Sequence, residues 1–201
     1  MLRQHIILAG VATVVIVGAG AGEAHLYIAS ERARAESVIQ DGIRLMSEGD
    51  YGGAQERLTR AVDIAPLADG YLQRGLARKG LNQVDAAIED FERALSKDPN
   101  LASAHTALGV TYREQADPQR AINEFTLAIQ LRAGADALYQ RGQAYELLGQ
   151  HQQAIQDYSA AIHEQPDAPY IYRARAVSRE AVGDRAGAEQ DRRTLSRMGR
   201  R

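Results

Sequence analysis

The chain has 201 residues and a formal net charge of −2, so no overall basic field indicates nucleic acid as a partner. It contains no cysteine, which excludes disulfides, thiolate zinc sites and cysteine nucleophiles. Alanine, leucine, isoleucine, glutamine, glutamate and arginine are abundant, while valine and threonine are sparse after residue 40, and this composition favours helix over sheet.

Residues 1–34 form a leader that contains a long apolar run. Ile6–Gly22 comprises 17 residues without a charge. A helix of that length spans roughly 25 Å, which is near the lower limit for crossing a bilayer core. We therefore predict an N-terminal apolar helix that anchors the chain in a membrane through residues 6–22, followed by a charged helical stem.

A cleaved signal peptide is the competing interpretation of the same leader. Arg3 would be its positive end, Ile6–Val17 its apolar core and Ala19-Gly20-Ala21 its cleavage pattern. The anchor interpretation predicts a single-pass protein whose body lies on the non-cytoplasmic, periplasmic side, because Arg3 precedes the run. The signal-peptide interpretation predicts a soluble secreted or periplasmic protein.

The rest of the chain repeats with a period of 33 to 34 residues. The recurring series are Gly42-Ala54-Leu58-Ala61-Pro66, Gly75-Ala87-Phe91-Ala94-Pro99, Gly109-Ala121-Phe125-Ala128 and Gly142-Ala154-Tyr158-Ala161-Pro166. Such a period indicates one helical hairpin copied and stacked, each unit consisting of helix A, a tight turn and helix B. We place the units at residues 35–67, 68–101, 102–134 and 135–168, with a degenerate terminal unit at 169–201.

The second unit shows why each type of residue recurs at its position in the repeat. Gly75 removes a side chain where two helices approach closely, and Phe91 fills the gap between neighbouring helices. Asn82 tolerates the left-handed backbone that ends helix A, and Asp98-Pro99 stops helix B. In the fifth unit Arg192 replaces the aromatic residue, as expected for the polar end of an open stack.

These residues resemble the tetratricopeptide repeat. The likeness is carried by Gly142, Tyr145, Ala154, Tyr158, Ala161 and Pro166, and again by Gly109, Tyr112, Ala121, Phe125 and Ala128. It covers about residues 35–200. The resemblance implies an all-α, right-handed superhelix, or α-solenoid, of about five hairpins with a concave groove lined by the A helices. It also implies a protein- or peptide-binding scaffold rather than an enzyme.

Carrying the family's groove positions onto this chain gives five pairs of residues. They are Ile39 and Ile43, Leu72 and Leu76, Thr106 and Val110, Tyr139 and Gln143, and Arg173 and Val177, flanked by Gln73, Lys79, Arg113 and Gln140. An exposed apolar stripe along a groove favours an amphipathic helix or an extended apolar segment of a protein partner. The alternative is that a neighbouring A helix or the stem covers these side chains.

No pattern in the sequence indicates catalysis. The five histidines do not have metal-ligand spacing, and the phosphate-binding and nucleophile motifs are absent from the sequence. We therefore predict no enzyme activity, no cofactor, no metal, no small-molecule substrate and no nucleic acid. His105 is predicted to pack between helices A and B, and Asp90 to lie on an ordinary solvated helix face with Glu89 and Glu92.

Five arginines lie in the last ten residues: Arg192, Arg193, Arg197, Arg200 and Arg201. They could contact anionic lipid or an acidic partner, or simply make the terminal helix soluble. The combined prediction is a membrane-tethered scaffold, an accessory or assembly subunit of an envelope or membrane complex. The alternatives are an exported, chaperone-like carrier and a subunit that binds through its convex or edge surfaces.

Overall fold

The computed structural model describes residues 5–9, 12–16 and 21–199, with side chains from residue 28 onward. Two strands come first, β1 His5–Ala9 and β2 Ala12–Ile16. Ten helices follow in this part of the chain: α1 Ala21–Ser47, α2 Tyr51–Ile64, α3 Ala68–Gly80, α4 Val84–Lys97, α5 Ala102–Glu114, α6 Pro118–Gln130, α7 Gly134–Leu147, α8 His151–Glu164, α9 Pro169–Ala181 and α10 Arg185–Met198.

At the N-terminus the described residues 5–9 and 12–16 form two strands, whereas an apolar helix was predicted over residues 6–22. β1 and β2 pair antiparallel, with Ile6 opposite Val15 and Ile7 opposite Val14. β-branched residues fit a pleated surface, and an apolar run alone cannot distinguish strand from helix. Residues 10–11 and 17–20 of the predicted anchor lie outside the described residues. Of the helices described, none is both long enough and apolar enough to cross a membrane.

Helix α1 is twice as long as the other helices, with 27 residues against 13 or 14. It runs without a break from the leader into helix A of the first unit. Arg32 and Glu36 form an i, i+4 ion pair at 2.8 Å along the exposed stem. The stem and the first repeat are therefore one helix, with no flexible linker between them.

The predicted hairpins are confirmed: the helices pack as five consecutive pairs, α1–α2 to α9–α10. Their turns use the same device, a residue with positive φ directly before the end of the turn. Gly49, Gly149 and Gly183 occupy it in three units, and Asn82 does so in the second with φ 61°. Asp50, Asp117 and Asp184 then cap the helices that follow by accepting hydrogen bonds from backbone N–H groups.

Close packing inside the first four hairpins depends on the absence of a side chain. A Cβ built on Gly75 would lie 2.5 Å from Phe91 Cε1, and one on Gly142 would lie 2.5 Å from Tyr158 Cε1. The same geometry recurs at Gly42 and Gly109. We call these four residues the glycine row. Their partners Leu58, Phe91, Phe125 and Tyr158 are buried, so the predicted interlocking of small and large residues is confirmed.

The core continues from unit to unit. One buried cluster joins Phe91 and Ala94 of the second unit to Ala104 and Leu108 of the third. Another joins Tyr158 of the fourth unit to Ile171 of the fifth. Each unit therefore buries its apolar surface against its neighbours, as stacked repeats do.

Candidate partner-binding groove

The A helices lie side by side along one face of the stack. Each of α1, α3, α5 and α7 contacts the A helix of the next unit, while no comparable contact joins consecutive B helices within residues 21–199. Because the A helices are the closer-packed layer, the stack curves toward them. The A-helix face is therefore the concave side, which we call the groove.

Two predicted groove residues lie beneath the groove surface. Ile39 is 1% exposed and Leu72 is 5% exposed. The first turn of α3 covers Ile39, since a Cβ on Gly70 would lie 3.4 Å from Ile39 Cδ1. Leu72 belongs to the buried cluster that joins the second and third units. These two side chains hold neighbouring A helices together, as the covered-groove alternative expected, and a ligand cannot reach them.

The second member of each predicted pair stays accessible. These residues follow the glycine row directly, with Ala176 in place of glycine in the fifth unit. Leu76 is 37% exposed and Val177 is 56% exposed. Ile43, Val110 and Gln143 are half-buried. We call these five residues the groove row. Four of its five members are apolar, and together they form one line of accessible side chains, one from each unit.

The fourth and fifth units add a polar and aromatic end to the groove. Gln143 Nε2 donates to Tyr139 Oη at 2.9 Å, and the Tyr139 ring meets the Tyr170 ring edge-on with centroids 4.8 Å apart. Burial raises the pKa of Tyr139, the charge of Glu146 adds to the rise, and Arg113 opposes it. The Tyr139 hydroxyl therefore stays protonated at neutral pH.

The remaining predicted residues differ in what they offer. Thr106 Oγ1 donates to the Ala102 carbonyl at 3.0 Å, so the hydroxyl proton is already used within helix α5. Arg113 is half-buried, and its buried Nε has no hydrogen-bond partner among the described residues. Arg173 is exposed. Tyr170, which is 40% exposed, joins this end of the groove although the sequence analysis did not select it.

Sequence reasoning also missed a repeated pair of buried charges that orients the A helices. Arg74 Nε and NH2 each donate to a carboxylate oxygen of Asp90 at 2.8 Å. Asp90 is fully buried, so its predicted place on a solvated face was wrong. The same two-point pairing recurs at Arg141–Asp157 and Arg175–Asp191. The spacing of 16 residues in three units was the signal that could have revealed it.

Two of these arginines also reach the preceding unit. Arg141 NH1 donates to Thr126 Oγ1 and Arg175 NH1 donates to Ser159 Oγ, each at 3.0 Å. One guanidinium therefore links helix A to its own helix B and to the helix B before it. The third unit has Leu108 in the arginine position, and there His105 Nδ1 lies 2.8 Å from Glu124 Oε2. The predicted packing role of His105 is confirmed.

No group of three or more histidine, aspartate or glutamate side chains is arranged to hold a metal ion in the part of the chain that the structure describes. The side chains described above for the groove are mainly apolar, aromatic and amide, with Arg113 and Arg173 beside them.

Three family models match consecutive stretches of the chain. Models described as tetratricopeptide repeat match residues 102–134 and 135–168, and a model described as TPR repeat matches residues 75–115. The chain thus contains tetratricopeptide repeats over residues 75–168.

Curated relatives match part of the chain. It is 31% identical over 98 residues to Small glutamine-rich tetratricopeptide repeat-containing protein 2 of Saccharomyces cerevisiae, which covers 48% of this chain and 28% of that protein. It is 23% identical over 163 residues to the Tetratricopeptide repeat and J domain-containing co-chaperone DNJ1 of Cryptococcus neoformans, covering 75% of this chain and 31% of that one. The chain spans less than a third of the length of these relatives.

Solved structures share the fold over a larger part of the chain. A crystal structure of MamA aligns with TM-score 0.73 and 25% identity, over 79% of this chain and 94% of that one. The structure titled Functional Characterization of Pseudomonas Aeruginosa pilF aligns with TM-score 0.77 and 19% identity, over 83% and 78%. The superhelix of hairpins is the shared feature.

Proposed function

We propose that this chain, whose residues 75–168 are tetratricopeptide repeats, is a scaffold that holds an apolar or amphipathic segment of a protein partner in its groove. The groove row is the observation that carries the proposal. An apolar side chain recurs at the same place in four of five units, and the row ends at Val177, which is 56% exposed. The other position of the predicted pair is covered, as Leu72 shows, whereas the groove row keeps part of each side chain accessible.

Glutamate substitution of the two most exposed members of the groove row tests whether the partner binds in the groove. Leu76→Glu with Val177→Glu places charges where the apolar segment would lie, and we expect the partner to be lost. The readout is affinity purification of the full chain from solubilised membranes, followed by mass spectrometry. Leu72 is unsuitable for this test because a charge at a buried position would unfold the repeat.

A matched control makes the result specific to the groove. Leu127 is 41% exposed and Val182 is 43% exposed, and both lie outside the groove row. The Leu127→Glu, Val182→Glu variant has the same change in charge and a similar loss of apolar surface. If the groove variant keeps its partner while folded, or if the control loses it equally, the groove is not the binding surface.

We further propose that the leader tethers this scaffold to a membrane. The uncharged run Ile6–Gly22 supports the proposal, since its length approaches what a bilayer crossing requires. A two-stranded hairpin leaves the outer backbone groups of both strands unpaired, and lipid offers no partner for them. We therefore expect this segment to become helical in a bilayer.

Carbonate extraction of membranes and intact-mass analysis of the mature protein test the tether. Retention in the extracted membranes with residues 1–22 present supports it. A mature chain that lacks residues 1–22 supports the other candidate, an exported soluble carrier. That candidate is favoured by one observation, a relative named as a co-chaperone that aligns over 75% of this chain.

A further inference from the structure

Charge is unevenly distributed between the last unit and the rest of the chain. Residues 169–201 contain nine arginines and four acidic residues, a net charge of +5, while residues 1–168 contain 15 basic and 22 acidic residues, a net charge of −7. The overall charge of −2 conceals this separation. A local basic surface on an acidic molecule attracts partners of opposite sign to one place.

The four acidic residues of the last unit are already neutralised within it. Asp191 is buried between Arg175 and Arg179. Asp184 caps helix α10 and lies 3.5 Å from Arg179 Nε. Glu180 pairs with Arg192, and Glu189 pairs with Arg193. The positive surplus therefore falls on arginines that have no acidic partner in the described residues, among them Arg197 at the end of α10.

The outer face of α10 is the surface on which a further unit would stack. Val62 of the first unit lies 3.1 Å from a Cβ placed on Gly70 of the next helix A. Ile129 and Ile162 pack in the same way against helices α7 and α9. The equivalent residue on α10 is Ser196. Thr126 and Ser159, which accept hydrogen bonds from the next helix A, correspond to Arg193.

A shallow hollow marks this face, and five residues of α10 line it: Glu189, Arg192, Arg193, Ser196 and Arg197. It lies where a further unit would pack. It carries arginines, however, where helix B at the earlier joints carries a hydroxyl group. At the joints after units three and four, the incoming helix A brings an arginine to a hydroxyl of the preceding helix B. At α10 the arginines belong to helix B of the last unit and not to an incoming helix A.

We propose that the outer face of α10 docks an acidic α-helix of a protein partner, which extends the stack as an added helix A. Glutamate or aspartate side chains of that helix pair with Arg192, Arg193 and Arg197. The exposed ion pairs of Arg192 and Arg193 do not prevent this, because surface pairs contribute little and exchange readily. This site is separate from the groove and does not depend on the groove for its ligand.

The composition of the face favours an acidic helix over a membrane or a nucleic acid. None of the five residues that line the hollow is apolar, so nothing there would insert into lipid. None is aromatic, so nothing would stack on bases. The face instead presents arginine guanidinium groups along one helix, and these are the side chains that pair best with carboxylates.

Fluorescence anisotropy with a labelled peptide tests the proposal. The probe is a helical peptide of about 24 residues made of alanine, leucine and glutamate, long enough to be helical in isolation. We expect it to bind the full chain in low salt and to weaken as salt is added. The Arg192→Glu, Arg193→Glu, Arg197→Glu variant should bind about tenfold more weakly or worse. An Arg→Gln version at the same positions should show the same direction of change.

The control reverses three exposed arginines of the first unit, Arg44, Arg57 and Arg60, to glutamate. It has the same net charge as the test variant and should bind as the unaltered chain does. Equal weakening in both variants would mean that overall charge alone is responsible, and would overturn the proposal. So would equally tight binding of a peptide with glutamine in place of glutamate.

Vesicles of phosphatidylcholine with phosphatidylglycerol provide the competing ligand. If the three α10 substitutions abolish vesicle binding but leave peptide binding unchanged, anionic lipid is the ligand and the acidic helix is excluded. Far-UV circular dichroism of each variant establishes that the helices are intact.

Discussion

Asp90 is the clearest case of a residue whose environment decides its role. Its carboxylate is fully buried, accepts two hydrogen bonds from Arg74 and lies 2.9 Å from Arg78 NH1. The hydrogen bond to Asp90 raises the pKa of Arg74, with burial acting in the opposite direction. A charge removed from water is stabilised only by such complete pairing, and its loss is therefore costly.

Asp90→Asn is predicted to lower the free energy of unfolding by about 3–5 kcal/mol, because the buried Arg74 loses its counter-charge. The double change Arg74→Leu, Asp90→Leu should cost less, since the buried Arg74 charge is then removed together with its partner and only the half-buried Arg78 loses a carboxylate contact. Urea denaturation of Arg74→Leu, Asp90→Leu and the double variant measures the coupling. A double variant as unstable as the sum of the single changes would contradict the pairing.

Tyr158→Phe is predicted to raise the free energy of unfolding by about 1 kcal/mol at pH 7, because the hydroxyl oxygen is buried and, although Glu146 interacts with it, it makes no hydrogen bond of normal geometry. Phe91 and Phe125 already occupy the equivalent positions.

Burial first, and then the charge of Glu146, raise the pKa of Tyr158 above its ordinary value. The stability of the unaltered chain should therefore be full below a pH of about 10, where the unfolded tyrosine begins to ionise, and should fall above it. Thermal unfolding from pH 7 to pH 11 tests both effects, and the variant should show the smaller alkaline loss.

The buried ion pairs could not be predicted from single residues. Asp90 and Arg93 in one helix are typical of a solvated face, and only the packing of helix A on helix B brings Arg74 and Asp90 together. The spacing of Gly75 and Phe91, in contrast, does predict contact, because a missing side chain beside a large one has one packing explanation. The groove was half predictable for the same reason. Periodicity places Leu72 and Leu76 on one helix face, but the curvature of the stack decides that only Leu76 is exposed.

At the scale of the element, the turns between helices A and B share one backbone conformation with unequal side chains. Four of the five units use glycine or asparagine in the left-handed position, which is favourable, whereas the third uses Ala116 with φ 57°. The left-handed conformation is unfavourable for alanine because its Cβ crowds the following carbonyl oxygen. Asp117 caps helix α6 and Pro118 begins it, which fixes the path of the turn. The residue before them, Ala116, is therefore held in the unfavourable conformation.

Ala116→Gly is predicted to stabilise the chain by about 1 kcal/mol, because glycine adopts this backbone without strain. Ala160→Gly, at an exposed position inside helix α8, is predicted to destabilise it by about 1 kcal/mol, because glycine is a poor helix former. The same substitution should thus have opposite signs at two exposed sites. Melting temperatures of both variants decide the matter, and two shifts in the same direction would refute the account of the turn.

The elements were largely predictable from spacing, with the N-terminal segment as the exception. Residues 35–168 repeat small and large residues in register, and helix-ending residues agree with them in all of these units except the third, where the proline is missing. The segment 5–16 carries only an apolar run rich in isoleucine and valine, which suits strand and helix alike. Length favoured the helix, whereas the β-branched residues favour the strands that the structure contains.

At the scale of the whole molecule, the superhelix is a one-dimensional stack in which each unit depends on its neighbours. In the described chain the main helix contacts join helices of the same unit or of adjacent units. Damage to one unit should therefore spread to adjacent units and fade beyond them. The hydrogen bonds from Arg141 to Thr126 and from Arg175 to Ser159 couple the third, fourth and fifth units in particular.

Gly142→Ala is predicted to destabilise the chain by about 1–3 kcal/mol, because the new methyl group collides with the ring of Tyr158. Hydrogen exchange followed by mass spectrometry should show lost protection in units three to five, while units one and two stay protected. Gly52→Ala is the control, since the nearest atom to its Cβ, Asp50 Oδ1, is 3.7 Å away. Uniform loss of protection across all five units would contradict the stack.

The unbroken helix α1 couples the direction of the groove to the register of the stem. Each residue of an α-helix advances about 1.5 Å and turns about 100° around the axis. One inserted residue between 28 and 34 would therefore swing the concave side through more than a quarter circle relative to whatever grips the start of α1, while moving it outward by less than the width of one atom. Two or three insertions would point the groove in yet other directions, and only about seven, two full turns, would restore its original azimuth with the body raised by roughly 10 Å.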